Sequence, residues 1–135
     1  MPTQAPILTG VSEGATEKLD PIACLDERIR RSAIPDRPEA PGRYIEVRGA
    51  SETLLIGLDR GVTHVGRGLA ADLHLDEASV SRRHAILVDR GSCVRVLDDR
   101  SSNGTFVNGR RILQAELKSG DVLRLGRVVL RYLDV

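Results

Sequence analysis

From residue 43 onward, apolar residues recur at every second position in short runs interrupted by turn-forming residues, the period of a half-buried β-strand. Tyr44 to Arg48 alternates in this way, and Thr53 to Leu58 does so with Leu54, Ile56 and Leu58 on one face. The same pattern predicts strands over Thr63–Val65, Leu73–Leu75, Ala85–Asp89, Cys93–Asp98, Thr105–Val107, Val122–Leu125 and Val128–Leu133. Asp59-Arg60-Gly61, Asp89-Arg90-Gly91, Asn108-Gly109 and Ser119-Gly120-Asp121 mark turns between them, and Gly126-Arg127 joins the last two runs as a terminal hairpin. No helical period survives between these breaks. Short strands at this spacing predict an all-β fold, a β-sandwich of two twisted, mainly antiparallel sheets.

Residues 1–42 have a different character. They hold all six prolines, Pro2, Pro6, Pro21, Pro35, Pro38 and Pro41. Each lacks a backbone N–H, so strand pairing is disfavoured there. One stretch, near 20–32, can be helical: Asp20 can cap it, Pro21 fits its first turn, and Ile22, Leu25 and Ile29 recur at helical spacing. Asp26 with Arg30 and Glu27 with Arg31 would add about 0.2–0.5 kcal/mol each. A helix of about twelve residues is marginal alone. The expected organisation is a flexible tail over residues 1–42 and one folded domain over 43–135.

Composition narrows the chemistry. Hydrophobic residues are 41% of the 135-residue chain but aromatics only 2%, so the core must be Val, Leu and Ile, with Phe106, Tyr44 and Tyr132 as its large rings. A formal net charge of +1 gives no general attraction to nucleic acid or an anionic membrane. Scarce aromatics also leave little to stack bases on. Cys24 and Cys93 lie far apart and form neither a C-x-x-C pair nor a zinc spacing, which fits a reducing compartment. The N-terminus has no long apolar stretch of the kind a signal peptide or span needs, and a cytoplasmic location is expected.

The connections between strands carry the polar chemistry. In order they are Gly66-Arg67, Asp72-Leu73-His74-Leu75, Ser79-Val80-Ser81-Arg82-Arg83-His84-Ala85, Ser101-Ser102-Asn103-Gly104-Thr105 and Val107-Asn108-Gly109. Arginines, hydroxyls and an asparagine amide on loops are free to bind rather than pack, and together suit a doubly charged oxyanion. Arg83, one residue beyond Arg82 in an extended segment, should face the other way. Asn103-Gly104 favours a turn with positive φ that would aim the Asn103 amide outward, and Asn108-Gly109 is a second such turn.

This series resembles the forkhead-associated (FHA) domain, a module that reads phosphothreonine in partner proteins; the likeness covers roughly residues 42–135. It implies that Arg67, Ser81 and Arg82 bind phosphate oxygens, that Ser102 adds a hydroxyl, and that Asn103 meets the peptide main chain. It implies supporting roles for Gly66, Ser101, Gly104 and Asn108, with a peptide contact also open to Asn108. His84, which looks like a catalytic or phosphate group, becomes a structural histidine that holds the loops. The implied function is a non-catalytic phosphothreonine-dependent binding module, acting as a signalling or assembly adaptor below a serine/threonine kinase that can itself be a ligand. No cofactor, nucleic acid or membrane is implied; a monomer is expected, and the arginine-rich, compact chain fits a bacterial source.

Other readings stand beside this one. A scaffold FHA domain that no longer reads phosphate would be expected to have lost one of the motif residues, and none is lost here. A hydrolase or metal protein could use His64, His74 and His84, yet the chain has no G-x-S-x-G, no P-loop, no H-E-x-x-H and no completing cluster. In the tail, Thr16 is a candidate regulatory phosphosite, with Leu19 three positions on. A flexible span of about 28 residues to Tyr44 covers roughly 30 Å, so a phosphorylated tail could reach the domain's own site. A passive linker is the alternative.

Overall fold

In a computed structural model of the protein, residues 19–135 are described apart from Asp36, Glu39 and Arg60. Twelve strands form two sheets. They are β1 (Ile34–Pro35), β2 (Arg43–Arg48), β3 (Thr53–Gly57), β4 (Val62–Gly66), β5 (Leu73–His74) and β6 (Ala85–Asp89). The chain continues through β7 (Val94–Asp98), β8 (Thr105–Val107), β9 (Arg110–Ile112), β10 (Gln114–Leu117), β11 (Val122–Leu125) and β12 (Val128–Asp134). One sheet has the order β1-β3-β2-β12-β11-β8-β9 and the other β10-β7-β6-β4-β5. All pairings are antiparallel except β4 with β5.

The alternation read from the sequence places the core. Ile45, Val47, Leu123, Leu125, Leu130 and Tyr132 face Val65, Leu87, Val94, Val96 and Leu117 from the opposite sheet. Of the three large rings expected inside, only Tyr132 is buried. Tyr44 is half-buried with its hydroxyl donating to the Ala40 carbonyl, and Phe106 lies on an outer face. Three strands lie outside the expected set: β1 and β10 are short edge pieces, and β9 is the return arm of the Asn108-Gly109 turn. Asn108 and Gly109 there have φ of 51° and 83°, the paired left-handed geometry of a tight hairpin.

The segment before residue 43 is not a free tail where it is described. Asp20 accepts from the Ile22 amide and caps a 3-10 turn over Pro21–Cys24. The chain then leaves helical geometry at Leu25, which bridges to Leu75, and Asp26 caps a second, short helix, α1 (Glu27–Ser32). One helix of twelve residues is therefore split in two, because pairing Leu25 with Leu75 buries it to 1% exposure. Ile22, Cys24, Leu25 and Ile29 all join the core, so the packed body reaches back past the expected boundary at 42. Their apolar stripe closes the open edge of the sandwich. Glu27 pairs with Arg31 as anticipated, whereas Asp26 lies by Arg28 and His74 rather than pairing with Arg30. Pro35 does pair, with Leu54, on an edge strand where its missing N–H costs nothing.

Candidate functional site

Register gathers the motif loops at one end of the sandwich. Val65 pairs with Ala85 and Ala85 with Asp98, while Leu125 pairs with both Thr105 and Val128. The connections after β4, before β6, after β7, before β8 and between β11 and β12 therefore share a rim.

Gly66 ends β4 at a close approach. A Cβ there would lie 2.1 Å from the Arg82 carbonyl oxygen, so any side chain would push the two loops apart. Its φ is not in the left-handed region. Closeness, rather than a left-handed backbone, is what demands glycine here. The Arg67 and Gly68 amides then donate to the Ser81 and Arg82 carbonyls at 2.9 and 3.0 Å, zipping the loops together.

Arg67 is exposed, and its Nε donates to the Val80 carbonyl at 2.9 Å. That bond fixes the guanidinium plane and leaves the terminal nitrogens unengaged among the described residues. Arg82 is exposed too and meets no partner among them. The Ser81 hydroxyl accepts from the Ser102 amide at 2.9 Å, which leaves its own proton free to donate. The Ser102 hydroxyl is exposed. Arg83 pairs with Asp99 at 3.2 Å, and the segment bends at Arg82 and Arg83 rather than running extended as expected.

Asn103 differs from its expectation in one respect. The residue is exposed, but its amide nitrogen is partly committed, donating to the Ser79 carbonyl at 2.8 Å, so the amide oxygen and one N–H remain for a ligand. The positive φ of the turn falls on Gly104, at 88°.

His84 is fully buried. The Ser81 amide donates to its Nδ1 at 3.0 Å, which assigns the ring proton to Nε2, and Nε2 donates to the Gly104 carbonyl at 2.9 Å. The ring thus joins the serine–arginine loop to the asparagine loop. This is a positioning geometry. His64 and His74 lie apart from it: His74 Nε2 meets the Arg67 carbonyl and its Nδ1 faces Asp26. Among the described residues no group of three or more His, Cys, Asp or Glu side chains is arranged to hold a metal. Asn108 braces its hairpin against β11, donating to Asp121 and accepting from the Val122 amide.

Two carboxylates missed by the sequence reading organise the rim. Asp98 accepts from the Ser101 hydroxyl and amide and from the Thr105 hydroxyl, and the Ser101 hydroxyl in turn accepts from the Gly104 amide. Glu77 accepts from the Ser79 amide and hydroxyl, and the Ser79 hydroxyl accepts from the Arg127 amide. The signal was present as Asp98-x-x-Ser101 and Glu77-x-Ser79, spacings at which a carboxylate can take a nearby backbone N–H. Burial pushes the Asp98 carboxyl up, but the hydrogen bonds from Ser101 and Thr105 outweigh it and leave the group below its ordinary value. A lowered native pKa contributes stability that is present above the unfolded value of about 3.9 and lost as pH falls through the native one. Asp98→Asn is accordingly expected to melt below the wild type at pH 7. The gap should close in melting curves taken at successively lower pH below about 4.

Thr16 lies outside the described residues. The tether imagined for it does not run free to Tyr44, because Leu19 packs on the core and the Asp20 carboxylate lies close against Gly49. Gly49 follows β2 at the same end as Arg127, since β2 and β12 run antiparallel with Glu46 opposite Arg131. The described chain therefore starts beside the rim. Among the described residues no helix is long and apolar enough to cross a membrane.

Comparisons with known proteins point to one family. The family model for the FHA domain matches residues 63–126. Over 135 aligned positions the chain is 30% identical to the oxoglutarate dehydrogenase inhibitor of Corynebacterium jeikeium, covering 93% of this chain and 94% of that protein. It is 40% identical over 77 residues to an ABC transporter ATP-binding/permease protein of Mycobacterium tuberculosis, 57% of this chain but only 9% of that one. A solved FHA domain studied for its phosphothreonine-dependent interactions superposes with a TM-score of 0.62 at 31% identity, covering 69% of this chain and 96% of the other.

Proposed function

The chain belongs to the FHA domain family and is a phosphothreonine-binding module, and on that premise we propose which of its groups hold the ligand. Arg67 and Arg82 grip phosphate oxygens, the Ser81 hydroxyl donates to a third, and Ser102 closes the cradle. Asn103 takes the peptide main chain with its free amide oxygen. The observation that carries this is the pair of guanidiniums with unengaged terminal nitrogens flanking a serine whose hydroxyl proton is uncommitted. Each such contact to a phosphate is charge-assisted and can be bidentate. Gly66, His84, Ser101, Gly104 and Asn108 hold the loops without touching ligand.

The module acts by docking on a threonine-phosphorylated partner, as an adaptor or regulator below a serine/threonine kinase. One relative is named as an inhibitor of a dehydrogenase, which fits action by binding another protein. Phosphothreonine is preferred over phosphoserine because its methyl group is removed from water and its β-branch restricts χ1. A buried methyl is worth about 0.8 kcal/mol, roughly fourfold in affinity. Isothermal titration with matched peptides tests it: phosphothreonine should bind several-fold tighter, and equal affinities would refute the preference.

A further inference from the structure

On the outer face of the seven-stranded sheet three side chains stand in a row across adjacent strands. Arg111 of β9 pairs in register with Phe106 of β8, and Phe106 pairs with Arg124 of β11. The Arg124 guanidinium carbon lies 4.0 Å from the centroid of the Phe106 ring. Stacking holds the guanidinium plane while leaving its edge donors to other partners; one reaches the Gly126 carbonyl at 3.3 Å. Arg111 packs against the turn before β8, since a Cβ on Gly104 would lie 2.8 Å from its Nε.

The two arginines are exposed. Arg43, Arg48, Arg83 and Arg131 each have a carboxylate within ion-pair distance. Arg111 and Arg124 meet none among the described residues. The β11 and β9 backbones that carry them lie two strand widths apart, about 9.5 Å, while both guanidinium ends gather around Phe106; like charges held there repel mildly and favour an anionic partner. The row adjoins the rim: Arg111 touches Gly104, Gly104 follows Asn103, and Asn103 holds the Ser79 carbonyl.

We propose that Arg111, Phe106 and Arg124 form a second contact for the phosphothreonine-bearing segment, one that takes aspartate or glutamate side chains flanking the phosphoresidue. It rests on the phosphothreonine reading above. A segment crossing Asn103 passes directly onto the row. Carboxylates two positions apart in an extended chain share one face, about 7 Å apart, and so can each meet one of the two guanidiniums. Each planar guanidinium can take a carboxylate with two parallel hydrogen bonds.

Fluorescence anisotropy at low and high salt tests this with three phosphothreonine peptides. One carries uncharged flanks, one carries acidic residues before the phosphoresidue, and one carries them after it. Exposed ion pairs are individually weak, so the wild type should bind one acidic peptide about three- to tenfold tighter than the uncharged one, with the margin shrinking as salt rises. Arg111→Gln with Arg124→Gln keeps the side-chain stems and should leave the melting temperature and uncharged-peptide affinity in place while abolishing the margin. Equal binding of all three peptides to the wild type overturns the proposal, as does a margin that survives in the double variant. Failure of the wild type to bind any phosphopeptide is a separate result that removes the underlying reading, and the proposal with it.

Discussion

Arg67→Ala is expected to weaken phosphothreonine-peptide binding at least tenfold while the sandwich stays folded. Its guanidinium is exposed, and only Nε is engaged, with the Val80 carbonyl at 2.9 Å. Losing a charge-assisted contact to phosphate costs about 1.5–3 kcal/mol, a factor of ten or more in affinity. Ser81→Ala should fall in the same range for a different reason. It removes the hydroxyl donor and also strands the Ser102 amide that this oxygen accepts. Isothermal titration with circular dichroism separates binding from folding. Unchanged affinity in both variants would remove the phosphate-site assignment.

His84→Ala should instead lose stability first and binding as a consequence. The side chain is 0% exposed and satisfies two backbone groups on different loops, the Ser81 amide and the Gly104 carbonyl. Truncation leaves both unmet in the interior and opens a cavity. Each buried unsatisfied group costs about 1–3 kcal/mol, so the total is on the order of 3–5 kcal/mol. Melting should drop by roughly 10 °C or more. A variant that melts like the wild type but no longer binds would place His84 in contact with ligand and contradict the positioning role.

The strand pattern was legible because alternation survives wherever one face of a strand is buried. Ala85–Asp89, Thr105–Val107 and Val122–Leu125 match their expected limits. β9 stays hidden because Arg110 and Arg111 leave it no apolar alternation, whereas β10 does alternate as Gln114-Ala115-Glu116-Leu117 but is a four-residue edge strand too short to stand out. The helical spacing of Ile22, Leu25 and Ile29 was real, but its meaning was tertiary. Those residues close the sandwich edge, so the local periodicity was satisfied by two short turns rather than one helix. Composition, heavy in proline, pointed to a tail where packing makes a brace.

At the site, residue types told which groups could bind but not which were already committed. The Asn103 amide looked free and is half used by Ser79, and Arg67 looked fully free and is aimed by Val80. Asp98 and Glu77 carry the charge opposite to that of an anion site, so residue type alone does not mark them as part of the rim. Hydrogen bonds from serines and a threonine hold both carboxylates in their ionised form, and Arg127 pairs with Glu77, so the two acids set loop shape.

The central claim is that this rim recognises a phosphorylated threonine through Arg67, Ser81, Arg82, Ser102 and Asn103. Titrating the isotopically labelled protein with one threonine peptide, phosphorylated and unphosphorylated, and following backbone amide shifts tests it directly. The phosphorylated form should saturate the protein, with the largest shifts at those five residues, and the unphosphorylated form should move none of them. Equal responses to the two peptides, or shifts clustered away from the rim, would contradict the account.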